Sequence, residues 1–444
     1  MGRLKTFIII LLMALAPAAV SAQTTSSPVT LGFSDALKIA GEKSPGVIMA
    51  GERVKQALER LNQTRAPLFP QLSVSASEIR QTKNLETFGL QAAPNTPSVT
   101  GPFNAFDARL KVIQTLFDMA TVKRLEAAGI GHEVSRAEEK KIKEDVLALV
   151  ATLYIEAKRA QSALAFSEAE LRLSRETYRL AGMNFRIGTG SEMDLKNAKA
   201  AHSESRFQRR MSKTKARDTQ LDLKAALGFS EEQEMRLSEN EPTVNLRLPK
   251  RPEILKLTQS HPEVLLAQAK LRQAEAETAS EKAEFLPKIS GAADYGASAD
   301  LPGHSKATYS YGLEAAWAIF EGGQRTALAA EGQSKSREAE AYRKDLTNQK
   351  ENKALEAREF LKNMRNLLKA KRDDLAAQSR QLELTKNRLA NGTASRLEVI
   401  HAMSNETRAA DVFAEAAASF QTAEVNLAHA LGQTGIIMND RRIL

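Results

Sequence analysis

The sequence predicts a mainly α-helical fold with a small β part, built twice within one chain. Two stretches of about 140 residues, 103–241 and 303–444, contain no proline and are rich in Ala, Leu, Glu, Lys, Arg and Gln. Proline breaks helix interiors, whereas these residues form helices well, so both stretches can hold long helices. Near the start of each stretch, short segments alternate between apolar and polar residues, which is typical of β-strands.

The two halves of the chain carry the same landmarks in the same order. The matched pairs are Pro45 and Pro262, Pro70 and Pro287, Phe117 and Phe320, Gly188 and Gly392, and Gly228 and Gly432. The offset is 217 residues for the first two pairs and 203 or 204 for the others. The first half therefore holds about 14 extra residues between Pro70 and Phe117. Because this segment includes Pro94, Pro97 and Pro102, we expect it to be a long loop.

The duplication predicts the domain organisation. Residues 1–22 are expected to be a secretory signal peptide, since a basic start and an apolar run precede small residues. Residues 23–250 are expected to form the first repeat and residues 251–444 the second. Each repeat should contain a helical hairpin, at about 120–228 in the first and about 323–432 in the second.

Each repeat is also expected to contain a pair of strands. The predicted strands are at about 68–80 and 103–117 in the first repeat, and at about 287–299 and 307–320 in the second. Roughly ten residues with one apolar and one polar face are the length and pattern of a transmembrane β-strand. A small soluble sheet packed on helices is the alternative interpretation.

A membrane-embedded sheet of this size requires more than one chain. Four strands are too few to close a barrel, and an open sheet edge is not tolerated in hydrocarbon. Three chains would supply twelve strands. Because each strand pair begins and ends in a helix, all helices would lie on one side of the membrane. The expected assembly is a trimeric twelve-stranded β-barrel continued by a long α-helical barrel.

The long helices carry a heptad-like apolar seam, which is typical of a coiled coil. In the second half the seam includes Leu361, Leu368, Leu375, Leu382 and Leu389. A helix from about 120 to 187 would be roughly 100 Å long. Its partner, which ends near Leu227, is shorter. We expect the separate helix before the strands to supply the missing length by stacking end to end.

Two Gly-Thr turns interrupt these helical runs. The turn residues are Gly188, Thr189, Gly190 and Ser191 in the first half and Gly392, Thr393 and Ser395 in the second. Asp194 follows the first serine by three residues, and Glu398 follows the second by three. A hydroxyl residue followed at this spacing by a carboxylate is the order of a helix capping box. The turns are therefore predicted to join two long helices each.

Composition excludes several classes of function. The chain has no Cys, so it can form neither a disulfide nor a thiolate metal site. The formal charge of +9 is spread over interleaved acidic and basic residues, which gives no support for nucleic-acid binding. The six histidines show no metal-ligand spacing, and no catalytic motif is present. We expect no enzyme activity, no cofactor and no metal.

Several motifs in fixed order make the chain resemble the bacterial outer-membrane efflux protein family, the TolC-like channels. These motifs are Leu31…Ala36-Leu37…Ala40…Ser44-Pro45, the Leu-x-Pro strand entry at Leu68-Phe69-Pro70, Trp317-Ala318-Ile319-Phe320-Glu321-Gly322-Gly323, and the two Gly-Thr turns. In the first half, Met119 and Ala120 replace the two glycines, so we expect a less sharp junction between strand and helix there.

The resemblance implies a homotrimer in the bacterial outer membrane that contacts lipid and extends into the periplasm. It implies the exit duct of a tripartite efflux or type I secretion system, a passive conduit from periplasm to exterior. The implied partners are a periplasmic adaptor (a membrane fusion protein) and an inner-membrane RND or ABC transporter. The alternative function is a periplasmic coiled-coil scaffold with a small soluble β-sheet.

The resemblance also implies roles for the turns. It places the turn residues at the periplasmic end of the tunnel, where an adaptor docks; simple chain reversal is the alternative role. It aligns Asp194 and Glu398 with acidic residues near the periplasmic gate, where carboxylates from three chains would attract cations. Charge complementarity at a helix N-terminus is the alternative. His401 stands where the best-known member has an acidic residue, and its protonation would make the gate pH-sensitive.

Overall fold

The fold is two long helical hairpins joined to one small sheet. A computed structural model describes residues 29–84, 98–238 and 246–438. The predicted signal peptide at 1–22 lies outside the described residues, as do positions 94 and 97 of the predicted loop.

Eight α-helices make up most of the described chain. They are α1 (Phe33–Lys43), α2 (Pro45–Arg65), α3 (Met119–Arg186), α4 (Glu192–Leu227), α5 (Arg251–Gln259), α6 (Pro262–Ala283), α7 (Gln324–Ala390) and α8 (Arg396–Ala430). Proline occupies the first position of α2 and α6, where no backbone N–H is needed. In the described part of the chain, no helix combines the length and apolar character needed to cross a membrane.

One antiparallel sheet contains β2 (Gln71–Asn84), β3 (Val99–Phe117), β5 (Lys288–Ala299) and β6 (Lys306–Ala316). Their order across the sheet is β2-β3-β5-β6. Two further short strands, β1 (Val29–Leu31) and β4 (Met235–Leu237), pair in parallel near the middle of the molecule.

Several strand limits differ from those predicted: β2 runs to Asn84 rather than to about 80, and β3 begins at Val99 rather than near 103. The last strand ends at Ala316 rather than near 320, because Ala316 pairs with Lys288, the first residue of β5, and the chain before it is helical. Pro102 lies inside β3 rather than in a loop. The strand accepts it because the register shifts there, between the pairs Gln81–Phe103 and Lys83–Thr100.

The junctions between strand and helix differ in the two halves. In the first half Asp118 alone separates β3 from α3, and its side chain accepts a hydrogen bond from the Thr121 N–H. In the second half seven residues, 317–323, separate β6 from α7. Gly322 and Gly323 adopt positive φ angles of 60° and 85°, which favour glycine.

The short helices stack end to end on the hairpin helices, as the sequence predicts. The end of α4 at Gly228 abuts the start of α2, since a Cβ on Gly228 would lie 3.1 Å from Pro45 Cδ. The Ser44 hydroxyl bridges this junction by donating to the Ala226 carbonyl at 3.0 Å. The end of α8 meets the start of α6 in the same way. Each pair therefore extends as one column alongside the longer helix.

His261 bridges the second junction. Its Nε2 lies 3.1 Å from the His429 carbonyl oxygen, and its Nδ1 accepts a hydrogen bond from the Glu263 N–H at 3.1 Å. Because a carbonyl only accepts, Nε2 carries the proton and the ring is neutral. Burial, with the nearby charge of Lys350, lowers the pKa of His261 to about 4, which keeps the ring in this form.

The hydrophobic core lies at the waist, where the stacked helices meet. One cluster surrounds Tyr154 and includes Leu31, Leu37, Leu147, Leu223 and Leu237. A second surrounds Leu361 and includes Leu246, Ile254, Ala423 and Leu427. Elsewhere in the described residues, the clusters of buried apolar side chains are smaller.

An extended strap crosses the waist in each half. The first strap is β1 with residues 235–238, and the second strap is residues 246–249. The Gln220 amide donates to the Met235 carbonyl of the first strap at 2.6 Å. At the equivalent position of the second half, 204 residues later, the Glu424 carboxyl accepts from the Leu246 N–H at 3.3 Å. Glu424 is 2% exposed, and its other oxygen has no hydrogen-bond partner in the structure.

Replacing Glu424 by Gln is expected to remove a pH dependence from stability. Burial raises the pKa of Glu424 from 4.5 to about 7, so the folded chain holds this proton more tightly than the unfolded chain does. That stabilisation is fully present below pH 4.5 and is lost as the pH rises through about 7. Between pH 4.5 and 8.5 the wild type should lose about 3 kcal/mol relative to Glu424→Gln, measured by urea unfolding in detergent.

The matched control is Glu356→Gln, which changes an exposed carboxylate on α7. It should leave the pH profile of the wild type unchanged. Parallel pH profiles for the wild type and Glu424→Gln would contradict the assignment of this dependence to Glu424.

Candidate functional site

The sheet exposes its apolar face. Residues paired across neighbouring strands share a face, and one such row runs Val74–Leu110–Tyr295–Tyr309 across all four strands. These side chains are 78%, 40%, 62% and 73% exposed. No described helix covers them, so the face is open across the whole width of the sheet. A soluble sheet packed on helices would bury this row instead.

The apolar surface continues past the end of β6. Tyr311 and Leu313 lie on the same side of the strand as Tyr309 and are 81% and 77% exposed. Trp317 and Ile319 follow at the same alternation and are 62% and 85% exposed. Aromatic side chains at the ends of an apolar band are typical of the boundary between lipid and water.

The opposite face of the sheet is polar and more sheltered. The row beside the apolar one runs Ser73–Lys111–Asp294–Ser310. The Asp294 side chain is only 16% exposed. In the middle of the sheet, large apolar side chains thus occupy the more exposed face and charged side chains the more sheltered face, the reverse of a soluble sheet over a hydrophobic core.

Both Gly-Thr turns end the preceding helix in the same hydrogen-bonded motif. The Thr189 N–H donates to the Asn184 carbonyl at 2.9 Å, and the Gly188 N–H donates to the Phe185 carbonyl at 3.1 Å. This pair of bonds is a Schellman motif, which requires a left-handed residue at the glycine. Gly188 has φ 76° accordingly.

The second turn repeats this geometry. The Thr393 N–H donates to the Arg388 carbonyl at 2.8 Å, and the Gly392 N–H donates to the Leu389 carbonyl at 3.0 Å. Gly392 has φ 73°. The Gly-Thr pair is therefore explained by the need to reverse the chain, and the turns leave Thr189 and Thr393 exposed at the hairpin tips.

The predicted capping boxes are present in both hairpins. The Ser191 hydroxyl accepts from the Asp194 N–H at 3.0 Å, and the Asp194 carboxylate accepts from the Ser191 N–H at 3.3 Å. Ser395 and Glu398 make the same pair of bonds, at 3.2 and 3.0 Å. Both carboxylates thus lie in the first turn of a helix, one turn from a hairpin tip.

The two capping carboxylates have different surroundings. Arg388 lies 3.6 Å from Glu398, whereas the equivalent position in the first hairpin is Asn184. Hydrogen bonds from Ser395 and the charge of Arg388 lower the pKa of Glu398. His401 lies exposed on α8, one turn beyond Glu398. The structure therefore brings His401 near one of the two predicted gate carboxylates along its own helix.

Sequence reasoning missed an apolar patch at the first hairpin tip. Ile187 and Met193 flank the turn and are 71% and 65% exposed. The equivalent positions in the second hairpin are Asn391 and Leu397, and Leu397 is 40% exposed. The sequence could have indicated this patch, since Ile187 precedes the polar residues of the turn and Met193 follows them.

Within residues 29–84, 98–238 and 246–438, no group of acidic and histidine side chains has the arrangement of a metal site.

Comparison with known proteins identifies relatives of this fold. A family model described as outer membrane efflux protein matches residues 36–229 and 254–433. No curated protein sequence matches the chain. The predicted fold class of the chain is confirmed: the described residues are mainly α-helical and contribute four strands to one sheet. This strand count fits a trimeric twelve-stranded barrel.

Three solved structures illustrate the likeness. The CmeC outer membrane channel of Campylobacter jejuni has a TM-score of 0.77 at 18% identity, covering 90% of this chain and 86% of that chain. The outer membrane protein VceC of Vibrio cholerae has a TM-score of 0.73 at 17% identity, covering 90% and 96%. The open state of the MtrE outer membrane channel of Neisseria gonorrhoeae has a TM-score of 0.73 at 18% identity, covering 90% and 88%.

Proposed function

The chain belongs to the outer membrane efflux protein family, and we propose that it is the exit duct of a tripartite efflux or type I secretion system. It is an outer-membrane channel protein with helices in the periplasm, and it is not an enzyme. Residues 23–250 and 251–444 are the two repeats of the duct. Cargo passes through it from periplasm to exterior without chemical change.

The observation that carries this proposal is the uncovered apolar face of the sheet. The row from Val74 to Tyr309 is between 40% and 78% exposed. Burying apolar area yields roughly 25 cal/mol per Å², so this face favours outer-membrane lipid over water. The scaffold alternative lacks this support, because a periplasmic sheet would leave the same row in water.

Closure of the sheet requires other copies of the chain. Among the described strands, β2 and β6 are the edges, and each is paired on one side only. Because the strands alternate in direction, β6 of one chain and β2 of the next would meet antiparallel. Three chains in a ring give twelve strands and no free edge, which hydrocarbon requires. The homotrimer is the smallest ring that leaves a water-filled lumen.

We expect Tyr311→Arg to prevent formation of the membrane-embedded trimer. An arginine on the lipid-facing side of a barrel costs about 2–4 kcal/mol near the membrane midplane. Ser77→Arg is the matched control, because Ser77 lies on the polar face. Outer-membrane fractionation and heat-sensitive trimer migration on gels measure the outcome. Equal trimer yields from both variants, or a wild-type chain that is soluble without detergent, would contradict the barrel.

The hairpin tips are the proposed docking surface for the periplasmic adaptor, which connects the duct to an inner-membrane RND or ABC transporter. The proposal rests on the distance of the turns from the sheet and on the exposure of their residues. The contacts are assigned to Gly188, Thr189, Gly190 and Ser191 in the first turn and to Gly392, Thr393 and Ser395 in the second.

A photoreactive residue placed at Thr393 in living cells should cross-link to the periplasmic adaptor. The control position is His304, in the short connection between β5 and β6 at the opposite end of the sheet. Mass spectrometry of the purified adduct identifies the partner. Adaptor peptides recovered equally from both positions, or from neither, would rule out tip docking.

The first turns of α4 and α8 are the proposed periplasmic gate. In a trimer, Asp194 and Glu398 would each occur three times around one axis and attract cations. His401 would add positive charge to the same region when it is protonated. The gate would then conduct cations less well at low pH.

His401→Ala is expected to remove that pH response. In planar bilayers, the wild-type channel should lose cation conductance between pH 8 and 5, whereas the variant should change less. His304→Ala is the control, because His304 is exposed at the opposite end of the sheet. The same pH dependence in the wild type and His401→Ala would exclude His401 from the gate.

A further inference from the structure

An ionic cluster spans three strands on the polar face of the sheet. Arg109 on β3 donates to the Asp107 carboxylate through two nitrogens, at 3.2 and 2.9 Å. It also donates to Asp294 on β5 and, at 3.4 Å, to the Thr308 hydroxyl on β6. Asp294 in turn accepts from Ser310 on β6. We call Asp107, Arg109 and Asp294 the Arg109 cluster.

A glycine makes the crossing possible. Gly296 pairs directly with Arg109, and it is buried. A Cβ on Gly296 would lie 2.5 Å from the Ala108 carbonyl oxygen and 3.0 Å from Arg109 Cγ. Any other residue would therefore force the arginine away from β5. Arg109 can lie flat across the sheet because position 296 has no side chain.

The charged residues in this band of the polar face, from Asp107 to Lys111 along β3, can be counted from the strand register. Two carboxylates and one guanidinium give a net charge of −1. On the same face, Lys111 pairs with Asp294, and Lys306 lies in the row of Asp107 through Ser298; both lysines are exposed, which brings the total to +1. The side chains of Arg109 and Asp294 are 28% and 16% exposed, so their charges are held in fixed positions rather than on mobile side chains.

We propose that the Arg109 cluster, together with Lys111 and Lys306, sets the charge selectivity of the barrel lumen. This rests on the proposed function, because the polar face becomes the lumen only when three chains close the barrel. Three copies then form one ring with six carboxylates and nine cations, a net charge of +3. The ring favours the passage of anions over cations at this level.

The test compares ion selectivity of purified trimers in planar bilayers, using potassium chloride gradients at low concentration. At about 0.01 M salt the screening length is about 30 Å, so wall charges act across the lumen. Lys111→Gln lowers the net charge of the ring from +3 to zero and should raise the permeability ratio of potassium to chloride. Asp294→Asn raises the net charge to +6 and should lower the ratio. Both shifts should shrink in 1 M salt.

Lys111→Gln should fold even if Asp294→Asn does not, because Lys111 is exposed and outside the hydrogen-bonded cluster. The control is Glu78→Gln, a charge change of equal size on the opposite face. It should leave the ratio unchanged. Conducting trimers in which Lys111→Gln and Asp294→Asn match Glu78→Gln would overturn this inference alone. A wild-type chain that forms no channel would overturn the proposed function and this inference with it.

Discussion

The exposed apolar face of the sheet is the constraint on which the rest of the structure depends. A row of large side chains from Val74 to Tyr309 cannot remain in water, and the outer edges of β2 and β6 cannot remain unpaired in hydrocarbon. Hydrocarbon on one face and further strands at both edges satisfy both requirements together. Because α2 leads into β2 and α3 follows β3, both helices adjoin the same end of the strands. They therefore leave the apolar face of the sheet free.

The helical part meets a different requirement: its two sides must reach the same length although the paired helices are unequal. The helix α3 has 68 residues, whereas α4 has 36. Stacking α2 on the end of α4 supplies the missing length, and Ser44 satisfies a helix-terminal carbonyl that would otherwise be unpaired. The core of large apolar side chains is concentrated at this waist. The hairpin tips, by contrast, are held by backbone bonds and capping boxes, so they can present side chains to a partner.

Much of this was predictable from the sequence, for reasons that differ by element. Glycine and proline mark helix ends by local chemistry, so the turns at Gly188 and Gly392 could be located without the structure. The capping boxes followed from spacing alone. The end of β6 could not be located in this way, because Ala316 is the last residue that has a partner on β5.

The charged contacts were beyond sequence reasoning for a related reason. The bond from Arg109 to Asp294 depends on the register of β3 against β5, and neither residue reveals that register by itself. The pairing of Arg388 with Glu398 depends on the way the turn folds back. The repeat predicted equivalent positions, but it did not predict which partners the charged residues at those positions would contact.

The type of side chain at equivalent positions follows a pattern. Ser44 in the first repeat corresponds to His261 in the second, and Gln220 to Glu424. At both positions the structural task is the same or closely similar: bridging stacked helices, or holding a strap.

The first repeat performs these tasks with neutral side chains, and the second performs them with ionisable ones. Backbone geometry therefore demands a hydrogen-bonding group at these sites but not a charge. Because the hydrogen bonds persist in both repeats, the ionisable side chains of the second repeat add a pH dependence at these two positions, which the neutral side chains of the first repeat lack.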